Sequence, residues 1–470
     1  MRYFFLLSLV LVLYTAGSQT LQQKLETRYT DFEQSEQLKY ASTSFTVLSA
    51  LTGEVIFSRN GNMGLAPGST LKVITSATAY HLLGKEFTWQ TSLGYSGTIS
   101  PDGVLTGDLI LTGGGDPTLG SSRFPQSNES VILKKWVDAI KKAGIRKING
   151  RLIGDDSLYD TQSVPIGWIW QDMGNYFGAG PNALTWRENS FELYFTPGKE
   201  VGEPVKLQRT KPALNFLKII NEVKTGKAGS GDNVYAYSAP YSTTIYLRGT
   251  YATDLQKIIE ASVPDPAFAL VCLLQDTLKK AGIEILQPVT TARLLKADNI
   301  AYKKSNTEIY KITSPSLDEV IYWFNQKSVN LFGEHLVKTV ALKQGLEVST
   351  EAGVNVIKSF WQNKLKIDPK SMNILDGSGL SPGTRVTTLT MSKILQSVKT
   401  EPWFTGYYNS FPVYNDMKMK SGTINDCVAY AGYQTTSSGT PVVFAIMVNN
   451  YSGGTKAMRQ KMFSVLDLLK

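Results

Sequence analysis

Apolar positions recur in two rhythms along the chain, and the change between them divides it. Leu21, Leu25 and Phe32 stand at helical spacing in an otherwise polar stretch from 19 to about 42. FTVLSA, the turn LTG and EVIFS then predict a β-hairpin, closed by RNGN. Pro67 and Gly68 break the chain, and Leu71, Ile74, Ala77 and Leu82 return to the helical period. The middle is different. Short strands are predicted around TSLGYSGTIS and GDLILTGGGD, a helix at about 130–143 leads into the strand INGRLIGDD, and strands with polar turns fill 190–250. Aromatic-rich irregular sequence runs from Trp168 to Trp186. Helices resume after Asp265, near Leu317, in NLFGEHLVKTVALKQG and in AGVNVIKSFWQNKL. Three strands near 417–421, 428–434 and 441–448 and a closing helix complete the chain. Both ends pair hairpin-type strands with helices, whereas the middle is richer in β-structure. The pattern predicts one split domain, 19–92 with 301–470, holding an insertion of two units, 93–185 with 255–300 and 186–254.

Composition narrows the function. Hydrophobic residues make up 42% and charged residues 19% of 470, enough apolar surface for large cores and too much for disorder. The net charge of +9 is spread thinly, with no run of basic residues, which argues against nucleic-acid binding. Two cysteines, Cys272 and Cys427, are too few for a disulfide scaffold and are expected as free thiols. Two histidines, His81 and His335, make a zinc site or a Ser-His-Asp triad hard to build, and both are expected to pack within helices. Residues 1–18 have a charged start, an apolar run of about a dozen residues and a small-residue end, the layout of a secretory signal peptide. No later segment has the ~20 apolar residues of a spanning helix. The mature chain is expected to be exported, with membrane association at most peripheral.

Three short motifs bear chemistry. Ser69 and Lys72, three apart at the start of a helix, share a face, and the free backbone N–H of Ser69 can help hold an oxyanion. A lysine kept neutral by burial or a cationic neighbour can serve as the base that histidine provides elsewhere. Ser328 and Asn330 lie in a turn between two helices. Lys420, Ser421, Gly422 and Thr423 fall in a strand, where the glycine permits close approach. Singly, each reads as a helix cap or a strand end. In the order Ser-x-x-Lys, Ser-x-Asn, Lys-Ser-Gly they are the signature set of penicillin-recognising serine enzymes.

With these boxes, and with GDLILTGGGDPTL, INGRLIGDDS, NYFGAGPNALTWREN and DGSGLSP, the chain resembles the class C low-molecular-mass penicillin-binding proteins, the D-alanyl-D-alanine carboxypeptidase/endopeptidase family. The third box departs from the usual Lys-Thr-Gly-Ser, and Pro-Gly-Thr-Arg follows DGSGLS. The resemblance implies an α+β fold of the β-lactamase/transpeptidase-like class, an antiparallel sheet flanked by helices, with inserted β-rich domains. It implies Ser69 as nucleophile, Lys72 as base, Ser328 as proton carrier and Asn330 as orienting group. Lys420, Ser421, Gly422 and Thr423 would bind substrate, the N–H groups of Ser69 and Thr423 forming the oxyanion hole. The substrates implied are peptidoglycan stem peptides or D-alanyl cross-links, with β-lactam antibiotics as covalent inhibitors and no cofactor or metal. A β-lactamase and a non-catalytic wall- or antibiotic-binding module share the boxes. The insertion is expected to serve placement or stability, with Trp168, Trp170, Tyr176, Phe177 and Trp186 as its packing and sugar stacking as the alternative. Asp376, Ser378 and Ser381 are expected to shape a turn, with lining the cleft as the alternative, and Glu334 to stay on its helix.

Overall fold

Alternation decides where the two ends of the chain meet. In the strand Pro441–Asn449, Val443, Ala445 and Met447 enter one core while Val442, Phe444, Ile446 and Val448 enter another. A strand apolar on both faces needs a layer on each side. The computed structural model, which describes residues 19–470, supplies both layers. Val55–Arg59, Ser42–Ser49, Pro441–Asn449, Cys427–Thr435, Met417–Ile424 and Val413–Tyr414 form a six-stranded sheet in that order, with every neighbouring pair antiparallel. One face packs on the helices Lys72–Leu83, Leu317–Gln326, Asn330–Lys343, Thr350–Leu365 and Thr388–Ser397. The other is covered by Leu21–Glu33 and Thr455–Leu466, through Leu25, Tyr29, Phe32, Met458 and Met462. The predicted signal segment at 1–18 lies outside the described residues. Among those residues no helix is long and apolar enough to cross a membrane.

The middle of the chain builds separate cores. Thr290–Thr291, Leu152–Asp155, Leu109–Thr112, Gln90–Tyr95 and Thr307–Thr313 form a five-stranded sheet packed on the helices Glu129–Lys142 and Pro266–Lys280. Ser190–Thr196, Lys206–Lys211 and Ile259–Ser262 form a three-stranded sheet, and Lys218–Asn221, Lys224–Gly226, Asp232–Tyr237 and Thr244–Ala252 a four-stranded one, around another core. Two sheet partners depart from the boundaries read from sequence. Thr307–Thr313 pairs with Gln90–Tyr95, so the first inserted sheet starts before 93 and ends after 300. Ile259–Ser262 pairs with Ser190–Thr196, which ties part of 255–300 to the second unit. Strand pairing at this separation leaves no local mark.

His335 links the insertion to the helical layer. It is fully buried, with Nδ1 2.9 Å from the Gly115 carbonyl oxygen and Nε2 2.8 Å from Thr185 Oγ1. Burial pushes its pKa down to about 3, so it sits neutral. Gly115 closes the Gly113-Gly114-Gly115 run, which therefore serves backbone approach. Cys272 and Cys427 are free thiols.

Candidate active site

Two glycines allow the site to assemble. Ser69 lies in a 3₁₀ turn, Gly68–Leu71, and the α-helix proper begins at Lys72, one turn later than the hydrophobic period implies. Gly68 has φ +49, a left-handed value that a side chain resists, and a Cβ there would stand 2.9 Å from Thr423 N. A Cβ on Gly422 would stand 2.2 Å from the Pro67 carbonyl oxygen and 2.9 Å from Ser69 N. The turn and the strand Met417–Ile424 thus meet backbone to backbone. Along that strand Met417 and Met419 enter the core beneath the outer helices, which turns Lys420 and Gly422 to the opposite face, toward Ser69.

Lys72 is the hub. It is 0% exposed, and its Nζ lies 2.9 Å from Ser69 Oγ, 2.7 Å from Asn330 Oδ1 and 2.8 Å from the Ser378 carbonyl oxygen. Asn330 Nδ2 donates to the Phe177 carbonyl at 2.8 Å, which turns Oδ1 toward the lysine. Burial holds the Lys72 ammonium well below the usual lysine range; the charge of Lys420 adds to this, and Asp376 and Glu334 oppose it. Lys420 is also buried, and burial lowers it to about 7. Its Nζ donates to Ser328 Oγ at 3.0 Å and to the Ser421 carbonyl at 2.9 Å. Ser328 has φ +56 and does not cap the following helix, which begins at Asn330. A non-glycine residue in that region is strained, and its surroundings must hold it there.

Ser69, Ser328, Asn330 and Thr423 line one cleft of about 270 Å³. Lys72 and Lys420 are buried behind it, bonded to Ser69 and Ser328 respectively. Ser421 stands apart: its carbonyl binds Lys420, but its hydroxyl is not among the cleft walls.

The cleft also contains residues that the sequence did not single out. Gln171, Asp172 and Tyr235 come from the inserted region, as does Phe177. The insertion therefore builds a wall of the cleft, beyond placement or stability. Burial raises the Asp172 carboxyl to about 6. The aromatic cluster also divides. Trp186 stacks on Trp136 as packing, whereas Trp168 Nε1 donates to Asp376 Oδ2 at 2.9 Å across to the split domain. Asp376 also accepts from the N–H groups of Gly379 and Ser381, and Glu334 accepts from that of Gly377. These side chains shape the turn, as expected, and the turn's product is the Ser378 carbonyl aimed at Lys72. Arg459, on the last helix, donates to Thr423 Oγ1 at 3.0 Å. No signal within reach of these motifs marks the arginine.

The family model for D-Ala-D-Ala carboxypeptidase 3 (S13) matches residues 21–469. The chain is 25% identical over 445 residues to the D-alanyl-D-alanine carboxypeptidase of Actinomadura sp. strain R39, covering 88% of this chain and 79% of that one. It is 24% identical over 442 residues to the D-alanyl-D-alanine carboxypeptidase DacB of Haemophilus influenzae, covering 90% and 88%. The crystal structure of penicillin binding protein 4 from Haemophilus influenzae superposes with a TM-score of 0.78 at 23% identity, over 93% of this chain and 97% of that one. A second crystal structure of that protein, in complex with a β-lactam, gives 0.74 at 22% identity, with the same coverage. With the match spanning nearly every described residue and the fold in agreement, the chain belongs to the D-Ala-D-Ala carboxypeptidase 3 (S13) family.

Proposed function

We propose that this protein is a serine peptidase of the cell envelope that cleaves D-alanyl-D-alanine ends, D-alanyl cross-links of peptidoglycan, or both, through an acyl-enzyme. One observation carries the reading: the three partners of Lys72 Nζ. Two are carbonyl oxygens, Asn330 Oδ1 and Ser378 O, which only accept. A neutral amine has two N–H groups to give them, and its lone pair is then left for the third partner, the Ser69 hydroxyl. The polar neighbours select the amine's orientation, and burial selects its neutral form.

The reaction follows from this arrangement. Ser69 Oγ attacks the carbonyl carbon of the penultimate D-alanine as its proton passes to Lys72 Nζ. The oxyanion accepts from the N–H groups of Ser69 and Thr423, held together by the approach of Gly422 to the turn. As the C–N bond breaks, Ser328 gives its proton to the departing amine and receives in exchange the one taken up by Lys72, while Lys420 holds its oxygen. Water then hydrolyses the ester, releasing the shortened peptide and restoring Ser69. Thr423, which lines the cleft and accepts from Arg459, would bind the terminal carboxylate, with Lys420 adding positive charge behind it. A β-lactam presents a carbonyl and a carboxylate to the same groups, which supports covalent inhibition at Ser69.

The split domain is the catalytic one in this reading, and the two inserted units, with their own cores, supply one wall. Export through a cleaved segment ending near 18 fits a substrate outside the cytoplasm, and N-terminal sequencing of envelope protein tests it. The activity is tested by digesting purified muropeptide monomers and cross-linked dimers and resolving the products by mass. Loss of one D-alanine from pentapeptide monomers, or conversion of dimers to monomers, is expected from the wild type and not from Ser69→Ala. Unchanged substrates in both would overturn the reading.

A further inference from the structure

The second inserted sheet has an outer face of the wrong composition for open water. Along Asp232–Tyr237 and Thr244–Ala252, Val234, Ala236, Ile245 and Leu247 alternate into the core. The intervening positions face outward and should be polar. They are Tyr235, Tyr237, Tyr246 and Arg248, and the register pairs Tyr237 with Tyr246 and Tyr235 with Arg248. Arg248 lies over both rings, 5.6 Å from the Tyr237 centroid and 5.2 Å from that of Tyr246. Trp170, 50% exposed, stands with its centroid 6.1 Å from that of Tyr237, and Tyr246 is 36% exposed.

This face is continuous with the cleft. Tyr235 lines the cleft beside Ser69 and Asn330. Tyr235 and Phe177 also wall an adjoining cavity of about 470 Å³, with Tyr176 and Lys257. A polymer held by its stem peptide at Ser69 would leave along this path.

We infer that the aromatic face of Trp170, Tyr237 and Tyr246 is a binding platform for the glycan strand to which the stem peptide is attached. Sugar rings present apolar C–H faces ringed by hydroxyls, which suits exposed aromatic rings that keep a polar edge. Charge does not select another occupant. Arg248 Nε donates to Glu222 at 2.7 Å, so the one charged side chain among these outward positions is already paired. The inference rests on the proposed function for its direction, since it joins the glycan to a peptide held at Ser69.

The test uses the full mature chain and two variants outside the cleft walls, Trp170→Ala and Tyr246→Ala. The probe is purified peptidoglycan glycan strands stripped of their stem peptides. Wild type should bind the strands, and each variant should bind about tenfold more weakly, equal to about 1.4 kcal/mol. The rate on a sugar-free pentapeptide and acylation by penicillin should not change, which also shows that both variants fold. Equal strand binding by all three proteins, or no binding by the wild type, would overturn the platform. So would an equal loss on the sugar-free peptide. If the wild type binds strands and the variants do not, while none of them cleaves the sugar-free peptide, the platform stands and the peptidase reading fails.

Discussion

Gly422 lies so close to the catalytic turn that a Cβ on it would stand 2.9 Å from the backbone nitrogen of Ser69. In the proposed mechanism the oxyanion hole thus depends on an absent side chain. Gly422→Ala must push the strand from the turn and separate the two N–H donors. Acylation by penicillin should fall by about a hundredfold or more, the usual cost of losing one oxyanion donor. Thermal unfolding should show a loss of about 1–3 kcal/mol, as for overpacking. An alanine variant acylated at the wild-type rate would show that the strand does not build the hole.

The Lys72 pKa is lowered mainly by burial, with Lys420 second. From sequence, burial and a cationic neighbour stand as equal causes; the structure ranks burial first. Lys72→Arg keeps the charge but cannot give up a proton, so acylation should collapse while the circular dichroism spectrum persists. Lys420→Ala removes the like charge and leaves the burial. The Lys72 pKa then rises, and the acidic limb of the acylation rate against pH should move to higher pH. A limb that stays in place would remove Lys420 from the tuning of the base.

Arg459 donates to Thr423 Oγ1, so that hydroxyl's own proton is free for an acceptor in the cleft. Arg459→Ala should raise KM for peptides with a free terminal carboxylate by about three- to tenfold, with kcat nearly unchanged. Arg459→Lys should recover part of the loss. On a peptide ending in a carboxamide, wild type and Arg459→Ala should converge. An equal loss on both substrates would make the contact merely structural.

His335 couples acid stability to the seating of the insertion. Its folded pKa is depressed to about 3, below an unfolded value near 6.5. Its contribution is therefore complete above about 6.5 and is lost as pH falls toward 3. Melting temperatures measured across that window should decline less steeply for His335→Gln, which keeps a polar side chain but does not titrate. Parallel declines would place the acid sensitivity elsewhere.

The sequence exposed what is local. Ser69 with Lys72, Ser328 with Asn330, and Lys420 with Gly422 each lie within a few residues of one another along the chain, so their order and spacing point to the chemistry. The helices Glu129–Lys142 and Pro266–Lys280 also followed from their apolar spacing. Groups that act from another part of the chain were not legible. Phe177 offers a carbonyl to Asn330, 153 positions away, and a backbone acceptor has no residue signature. Ser378 likewise acts through its carbonyl. The helix Thr388–Ser397 was obscured by its threonines, which lower helix propensity while Met391, Ile394 and Leu395 fill the core. The late start of the α-helix at Lys72 follows from the left-handed Gly68, a conformation set by the approach of Gly422 from the far end of the chain.

The central claim is that Ser69 is the nucleophile, activated by the Lys72 amine. Incubation with penicillin, digestion and mass spectrometry test it most directly. The account predicts one adduct per chain, on the peptide containing Ser69, absent from Ser69→Ala and nearly absent from Lys72→Arg. An adduct that persists in Ser69→Ala, or that maps to another residue in the wild type, would contradict it.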